Sequence, residues 1–323
     1  MKTITTLIIS LTAIITLAAG SALGSYSGGT GEPNNPYLIS TPADMNQIGR
    51  NYTDWDKCFK LTADINLSAY TGAQFSRIGT DFSHVFSGVF DGNEHTISGF
   101  TYTLASSDIG IFGNISAAGI VKNVSLVDVN VTGRSYVGGL AGYDGGTISN
   151  CNSTGTVSGS SGSYYVGGLV GANGGGSISN CYSTGSVSGS SWVGGLVGEN
   201  VGSVVGSFWD INTSGLTTSA GGTGMTTAQM KALLTFTSVG WDFTTIWAIC
   251  EGASYPKLAW QFIPGDFNND KKVDFVDFTR MGLKWRRTDS TLYCGGTDLT
   301  GDGMVNLADF AIFAGHWLEG VEP

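Results

Sequence analysis

Short runs of alternating apolar and small polar residues fill the middle of the chain, and one such run returns at a nearly constant interval. Three near-identical segments share the pattern aromatic-Val-Gly-Gly-Leu-(Ala/Val)-Gly: residues 136–142, 165–171 and 192–198. Their valines are 29 and 27 residues apart. A second block, Ile-Ser-Asn-Cys, recurs in phase at 148–151 and 178–181, and a weaker earlier copy begins at Ile109. Four copies with one period indicate a repeat architecture.

The alternation has a period of two, which is typical of strands, and a unit of 27–29 residues cannot bury its apolar face alone. The predicted fold class is therefore mainly β, a parallel β-solenoid (β-helix) with one coil of about 27–29 residues per repeat. A propeller does not fit, because its blades need about 40–50 residues. Equivalent residues of successive repeats should stack inside: Leu140, Leu169 and Leu196 in one row, and Ile148, Ile178 and Val204 in another.

Two of the five cysteines, Cys151 and Cys181, occupy equivalent positions of adjacent repeats, where the earlier copy has Val124. An apolar residue at this position predicts that both thiols point inward. A disulfide between the adjacent coils is the alternative, since stacked strands lie about 4.8 Å apart. The spacing leaves the disulfide state of all five open, including that of Cys58, Cys250 and Cys294.

The Gly-Gly-Leu-Val-Gly pattern resembles the GLUG-motif family of bacterial surface and secreted proteins over roughly residues 106–210. Residues 25–105 look like the start of such a solenoid and are interpreted as an N-terminal cap with degenerate first coils. The resemblance implies an adhesin-like or surface-binding role. Some relatives carry a zinc peptidase elsewhere, but this sequence has no His-Glu-x-x-His, so that activity is not expected here.

The repeat rhythm stops after Asp210, and residues 211–262 are interpreted as the C-terminal cap of the solenoid. The one helical stretch predicted in the body covers residues 225–235, and four large aromatic residues follow it: Trp241, Phe243, Trp247 and Trp260. Large apolar side chains are needed where a sheet edge must be covered. A sugar-stacking platform is the alternative interpretation of these tryptophans.

Two twelve-residue segments near the C-terminus, 266–277 and 298–309, carry side-chain oxygens at positions 1, 3, 5, 9 and 12. Calcium takes about six to eight oxygen ligands, and this spacing lets one loop surround one ion, with a backbone carbonyl from position 7. The sequence therefore predicts two calcium ions. The predicted ligands are Asp266, Asn268, Asp270, Lys272 (carbonyl), Asp274 and Asp277 for the first, and Asp298, Thr300, Asp302, Met304 (carbonyl), Asn306 and Asp309 for the second.

An amphipathic stretch follows each loop, position 8 is apolar, and position 12 is Asp rather than the Glu of intracellular EF-hands. Residues 263–323 thereby resemble a dockerin type I module. The resemblance implies a cohesin-like or other surface or scaffold protein as partner, in assemblies that often degrade polysaccharides. Positions 10 and 11, Phe275-Val276 and Leu307-Ala308, lack the hydroxyl groups common in the family, so a standard cohesin partner is not expected.

The N-terminus is typical of a secretory signal peptide over residues 1–24, because Lys2 precedes a short uncharged apolar run that ends in small residues. An uncleaved anchor is the alternative. No later stretch approaches the ~18 apolar residues of a membrane span, so none is expected in the mature chain. Acidic residues outnumber basic ones 25 to 15, which suits cations and makes nucleic acid a poor partner. We expect a secreted, extracellular or cell-surface protein.

Three functional hypotheses follow. The first is a non-catalytic protein whose solenoid binds carbohydrate or a surface and whose calcium-dependent module docks to a partner. The second is an extracellular polysaccharide hydrolase or lyase on a β-helix, and the third is a structural spacer. Catalysis would need clustered carboxylates, whereas the densest polar group, Asp91-Gly-Asn-Glu-His95, is typical of a solvated turn. An exposed aromatic row would favour a glycan binder.

Overall fold

The computed structural model of the 323-residue chain describes residues 26–93, 95–261, 263–268, 272–287, 296–300 and 303–321. The predicted signal peptide, residues 1–24, lies outside the described residues, as do Glu94, Asp270, Cys294 and Asp302. Within the described ranges the chain winds repeatedly through three parallel sheets, which is the β-solenoid that the repeats predict.

Each sheet receives strands from successive coils. The first consists of Tyr37–Ile39, Cys58–Leu61, Val89–Asp91, Ile120–Lys122, Thr147–Ser149, Ser177–Ser179 and Ser203–Val205. The second consists of Ile65–Asn66, Thr96–Ser98, Thr101–Thr103, Ser107–Ile109, Ser125–Gly138, Asn152–Gly167, Tyr182–Ser183, Ser186–Ser188, Ser191–Gly194, Phe208–Asp210 and Thr223–Met225. The third consists of Phe112–Ile115, Ala141–Asp144, Val170–Asn173 and Val197–Asn200.

The pairing between coils explains why the repeat length varies. Val166 pairs with Val137 in the coil before it and with Val193 in the coil after it, although these steps differ in length. One residue lies between Gly133 and Ser135, but four lie between their partners Gly159 and Tyr164, so the later coil holds three additional residues there. The additional residues form a bulge, and the core positions on either side keep their register.

The predicted leucine row is confirmed. The amide of Leu140 donates to the carbonyl of Leu169 over 3.0 Å, Leu169 donates to Leu196 over the same distance, and all three side chains are fully buried. Ile148 and Ile178 occupy paired positions in adjacent parallel strands. Val204 is paired with Ile178 in the next strand, but its side chain is only half-buried. The repeats therefore enclose one continuous interior.

Cys151 and Cys181 are free thiols buried in adjacent coils, and no disulfide joins them. The amide of Cys151 donates to Sγ of Cys181 over 3.4 Å, and the amide of Cys181 donates to the hydroxyl of Ser207 over 3.1 Å. Burial raises the pKa of the Cys151 thiol, which keeps it neutral. The inward position inferred from Val124 is thus confirmed. Cys58 is also a free thiol, and Cys250 is disulfide-bonded.

The size of the buried side chains decreases from the N-terminal coils to the later coils of the solenoid. Six phenylalanines, each at most 1% exposed, fill the N-terminal coils: Phe59, Phe75, Phe86, Phe90, Phe100 and Phe112. The later coils bury mainly valine, leucine, isoleucine and cysteine. The glycine-rich repeats therefore enclose a core of smaller side chains.

A helix that the sequence analysis missed, Pro42–Arg50, packs against the N-terminal coils. Thr41 and Asp44 form a capping box, in which each side chain accepts the other's amide over 3.1 and 3.0 Å. Met45 and Ile48 are fully buried in the solenoid core. A short 3-10 helix, Tyr52–Asp54, follows.

The helical stretch predicted over 225–235 is two short helices, Thr227–Met230 and Leu233–Thr237. Ala232 adopts an extended backbone between them, with φ −101° and ψ 123°. The interruption lets both Met230 and Phe236 enter one buried cluster. The remaining helices of this region are Ile211–Ser214 and the 3-10 helix Ala259–Gln261, and an antiparallel ribbon joins Trp247–Ala248 to Lys257–Leu258.

Two separate aromatic groups lie at the C-terminal end of the solenoid. Trp209 belongs to the interior cluster, and its indole N–H donates to the carbonyl of Leu216 over 3.1 Å. Trp241 and Trp247 instead pack outside the second sheet, in a cluster that includes Tyr182. Both are buried, which favours a covering role over a sugar-stacking platform.

The C-terminal segment contains two helices, Phe275–Lys284 and Leu307–Gly315. Its small core consists of Phe267, Val273, Met281, Val305 and Phe313. No helix in the described part of the chain is long and apolar enough to cross a lipid bilayer.

Candidate functional sites

The second acidic loop brings three of its predicted ligands together. The hydroxyl oxygen of Thr300 lies 3.1 Å from Oδ1 of Asp298 and 3.0 Å from Oδ1 of Asp309. Asp309 is fully buried and Asp298 is nearly so. Burial alone would raise the pKa of Asp309, but hydrogen bonds from the amides of Asn306 and Thr300 outweigh it and hold that pKa below its usual value. Positions 1, 3 and 12 of the second loop therefore lie close together.

The first loop has a related arrangement. Oδ1 of Asp277 accepts the amides of Phe267 over 2.7 Å and Asn268 over 3.2 Å. Asp277 is fully buried, and Asp266 is 8% exposed. In both loops, the carboxylate at position 12 thus accepts the backbone amide of position 3.

The residues at loop positions 9 and 12 also cap the N-termini of the two helices. Asp274 and Asn306 at position 9 accept the amides of Val276 and Ala308, each over 2.8 Å. In return, Oδ2 of the position 12 carboxylate accepts the position 9 amide, over 3.0 Å in the first loop and 2.7 Å in the second. These reciprocal bonds are capping boxes, which fix each loop to its helix.

Each loop is joined by backbone bonds to the end of the other loop's helix. The valine at position 8 of the first loop, Val273, donates to Glu319 and accepts from Leu318, both over 2.9 Å. Val305 at position 8 of the second loop pairs with Arg286 and Arg287 over 2.8 and 3.0 Å. The two loop-helix units therefore form one approximately twofold module.

The donor chemistry of the described ligands fits a hard divalent cation, because all of them offer oxygen. The carbonyl of Met304 at position 7 accepts the side-chain amide of Asn306 over 3.1 Å, which places positions 7 and 9 side by side. Among the described residues, no three His, Cys, Asp or Glu side chains gather at one point. The position 5 acids, Asp270 and Asp302, lie outside the described residues.

The helices of this module expose an aromatic surface. Phe275 is 70% exposed, and together with Phe278, Phe310 and Trp317 it lines a groove of about 310 Å³ between the helices. The sequence pattern predicts amphipathic helices, but of their large side chains only Met281 and Phe313 are buried in the module core. We call this feature the interhelix groove.

A row of aromatic side chains also crosses an outer face of the solenoid. Tyr136, Tyr165 and Trp192 occupy equivalent positions of three coils, with ring centroids 5.1 and 6.1 Å apart. Tyr143 and Phe82 extend the row, and their rings are 4.9 Å apart. Trp192 is 64% exposed and Phe82 59%. These five residues are called the aromatic ridge below.

Three ridge residues have an unusual backbone conformation. Tyr136, Tyr165 and Trp192 have φ values of 53°, 58° and 54°, in the left-handed region that bulky residues rarely adopt. Each such residue costs of order 1–3 kcal/mol, whereas stacking of neighbouring rings returns about 0.5–1.5 kcal/mol per pair. Asp108, which lies opposite Tyr136 in the preceding coil, has the same conformation with a φ of 61°, so the left-handed turn belongs to the coil, and at three coils an aromatic residue occupies it.

The last glycine of each repeat segment leaves space for the ridge. A Cβ on Gly171 would lie 2.6 Å from the carbonyl carbon of Tyr136, and one on Gly198 would lie 2.7 Å from that of Tyr165. Only glycine allows one coil to pass this close behind the ridge residue of the preceding coil. The aromatic first residue of the motif is visible in the sequence, but its position on the outer face of the solenoid was not predicted.

The polar group around Asp91 connects coils. The Asp91 carboxylate accepts the side-chain amide of Asn123 over 3.0 Å and pairs with Lys122 over 3.2 Å. His95 lies 3.3 Å from the carboxylate of Asp64. These contacts support the interpretation of a solvated turn, while Glu94 lies outside the described residues.

Comparisons with known proteins agree with this architecture. The family profile described as the GLUG motif matches residues 133–158 and 162–188, the coils that carry Tyr136 and Tyr165. The solenoid contains GLUG repeats.

Two relatives share part of the chain. Halomucin of Haloquadratum walsbyi is 38% identical over 161 residues, which are 47% of this chain and 2% of halomucin. A "Putative Gly-rich membrane protein" of Evansella cellulosilytica is 37% identical over 132 residues, which are 39% of this chain and 15% of that protein. The chain therefore spans only a small part of either relative.

One solved structure has a similar fold. It is the "Crystal structure of a putative immunoglobulin A1 protease" from Bacteroides ovatus, with a TM-score of 0.51 and 19% sequence identity. The similarity covers 73% of this chain and 96% of that one. At this identity it shows the fold alone.

Proposed function

We propose that the protein is a secreted or cell-surface binding protein without catalytic activity. In this proposal the solenoid contacts a polysaccharide through the aromatic ridge, and the C-terminal module attaches the chain to a surface or scaffold partner. The observation that carries it is the ridge itself. Trp192 and Phe82 are exposed and the three tyrosines between them are half-buried, so the row offers a rigid aromatic contact area at low entropic cost, and contiguous apolar patches mark interaction sites.

A surface location is supported by the relatives, one named halomucin and the other a "Putative Gly-rich membrane protein". The apolar run that precedes the described residues supports export through a signal peptide.

Calcium binding by the C-terminal module belongs to the same proposal. Asp266, Asn268, Asp274 and Asp277 would hold one ion, and Asp298, Thr300, Asn306 and Asp309 the other, with Asp270, Asp302 and the carbonyls of Lys272 and Met304 completing the two sets. Support comes from the convergence of Thr300 with Asp298 and Asp309. The bound ion would neutralise buried carboxylates, which otherwise repel each other.

The interhelix groove is the proposed contact of this module with its partner. Its aromatic side chains are exposed on two helices that the calcium loops position. Positions 10 and 11 are apolar rather than hydroxyl-bearing, so the partner is expected to offer an apolar surface that differs from a standard cohesin.

Retention on insoluble polysaccharide tests the solenoid function. The mature chain is incubated with cellulose, chitin or xylan, and the retained fraction is measured. Trp192→Ala and Tyr165→Ala should each lower the affinity for the retaining polymer by roughly three- to tenfold, because each removes a ring contact of about 0.5–1.5 kcal/mol. Tyr52→Ala is the matched control, since Tyr52 is 66% exposed and lies outside the ridge. No retention of the wild type on any of the three polymers, or equal retention of ridge and control variants, would contradict the proposal.

A further inference from the structure

A second candidate ligand site lies away from the aromatic ridge, in a cleft of about 550 Å³. Its floor is the outer face of the second sheet, where Thr96, Ser125, Asn152 and Tyr182 occupy equivalent positions of successive coils. The opposite wall consists of Lys231, Ala253, Ser254, Tyr255, Lys257, Gln261 and Ile263. This volume falls within the range of about 300–1,000 Å³ that small-molecule sites span.

The floor contains a buried amide group with an unused donor. Asn152 is 2% exposed, and its Oδ1 accepts the hydroxyl of Ser125 over 3.1 Å. Its Nδ2 has no hydrogen-bond partner among the described residues. Buried polar groups are nearly always paired, so an unpaired N–H on a cleft floor indicates an acceptor supplied from outside the chain.

The wall adds positive charge and aromatic surface. Nζ of Lys231 lies 5.4 Å from the ring centroid of Tyr255, and that ring stacks on Tyr182 with centroids 6.3 Å apart. Lys257 lines the cleft as well. Among the described lining residues Asp64 alone carries a carboxylate, and this group accepts the amide of Thr96 over 2.9 Å. The cleft therefore offers donors and cations facing a tyrosine ring.

The wall is anchored to the floor by a direct bond. The side-chain amide of Gln261 donates to the hydroxyl of Thr96 over 2.7 Å, although the two residues are 165 positions apart in the chain. The hydroxyl of Tyr182 donates to the carbonyl of Pro256 over 2.5 Å. Both sides of the cleft are thus fixed before a ligand arrives, which lowers the entropic cost of binding.

We infer that this cleft binds an acidic saccharide of two or three sugar rings. Its anionic groups would pair with Lys231 and Lys257, and a ring or hydroxyl oxygen would accept from Nδ2 of Asn152. Carboxylate and sulfate groups share this chemistry. The inference involves no ridge residue and does not depend on the proposed function of the ridge.

Calorimetric titration of the full mature chain tests the inference. Trigalacturonate should bind, and α-1,4-linked galactotriose, which has the same rings without carboxylates, should bind at least about tenfold more weakly. Lys231→Met and Lys257→Met should each lower the affinity for trigalacturonate about tenfold, and Asn152→Ala should lower it severalfold. Arg134→Met removes the same charge from an exposed residue that does not line the cleft, and should have no effect.

The outcomes separate this site from the ridge. Trp192→Ala should leave trigalacturonate binding unchanged, whatever its effect on polymer retention. Equal binding of the charged and neutral trisaccharides, or an equal loss in Arg134→Met, would overturn the inference. A chondroitin sulfate disaccharide that binds instead of trigalacturonate, with the same dependence on both lysines, would support the site and assign sulfate as its anion. Binding of none of these probes by the wild type would overturn it.

Discussion

The solenoid and the C-terminal module achieve their folded states by different means. Each solenoid coil is hydrogen-bonded to its neighbours, and one apolar cluster runs from Tyr26 to Trp209. The module has a core of five buried side chains, yet it also buries the carboxylates of Asp277 and Asp309. The core of a segment of about 60 residues rarely contributes more than about 3–5 kcal/mol to stability, so a bound metal, a disulfide or a partner can supply a large share of it. Dependence on a cation should therefore be confined to the C-terminal module.

Removal of calcium should have the largest effect that distinguishes the two regions. Chelation with EDTA should unfold the C-terminal module and leave the solenoid folded, because ion binding to the native state alone contributes about 4 kcal/mol at a thousandfold excess over Kd. Calorimetric melting should then show one transition lost and one unchanged. Asp298→Ala combined with Asp302→Ala should reproduce the loss, whereas Asp289→Ala, which lies outside both loops, should not.

A single transition that shifts as a whole on chelation would show that the two regions fold as one unit. Absence of any calcium binding would remove the metal from the account altogether.

A methyl group placed where two coils approach closely tests whether the stability of the solenoid depends on packing between coils. Gly171→Ala places a Cβ against the backbone of Tyr136, and should lower the free energy of unfolding of the solenoid by about 3 kcal/mol or more. Gly162→Ala is the matched control. Gly162 has a φ of 73° but open space around it, so only the backbone strain of about 1 kcal/mol applies. Denaturant unfolding with and without calcium should give the same loss for Gly171→Ala, and equal effects of the two substitutions would refute the packing explanation.

A smaller effect is expected from pH. Burial raises the pKa of Asp144 to about 7, while one carboxylate oxygen accepts the amide of Gly146 and the other has no partner among the described residues. Because the native state holds this proton more tightly than the unfolded state, its stabilisation is complete below the unfolded pKa of about 4 and is lost as pH rises through about 7. Asp144 alone should therefore make the solenoid about 2.5 kcal/mol more stable at pH 5 than at pH 8.

Asp144→Asn should remove most of this dependence, and Asp128→Asn, at an exposed site, should leave it in place. A remainder of the same sign is expected from Asp108, whose pKa burial raises to about 6. Denaturant unfolding at the two pH values measures both variants. Higher stability at pH 8 than at pH 5 would contradict the assignment.

The repeats made the solenoid predictable because equal spacing translates directly into register. Val137 and Val166 are paired in the sheet as their positions in the repeat require. The N-terminal helix was missed although Thr41-Pro-Ala-Asp44 carries the signals of a capping box with proline at the first helical position. A nine-residue helix is too short for its helical period to stand out beside the alternating strand pattern.

Features built from distant segments could not be predicted in this way. The predicted loop ligands Asp298, Thr300 and Asp309 converge because they share one short segment, whose spacing encodes their geometry. The cleft requires Gln261 to reach Thr96 across most of the chain, and no local pattern specifies that contact. The ridge lies between these cases, since its periodicity is local but its exposure depends on how the coils turn.

The bulge at residues 160–163 has a consequence for the evolution of such a chain. A duplicated repeat unit would meet, above and below, surfaces that match its own, because each coil pairs with the coil before it and the coil after it. Gene duplication can therefore lengthen the solenoid, and the ridge with it, while small differences in unit length are absorbed in surface bulges. The number of repeats accordingly sets the distance between the first coil and the C-terminal module. Duplication or loss of repeats can change this distance while the fold stays the same.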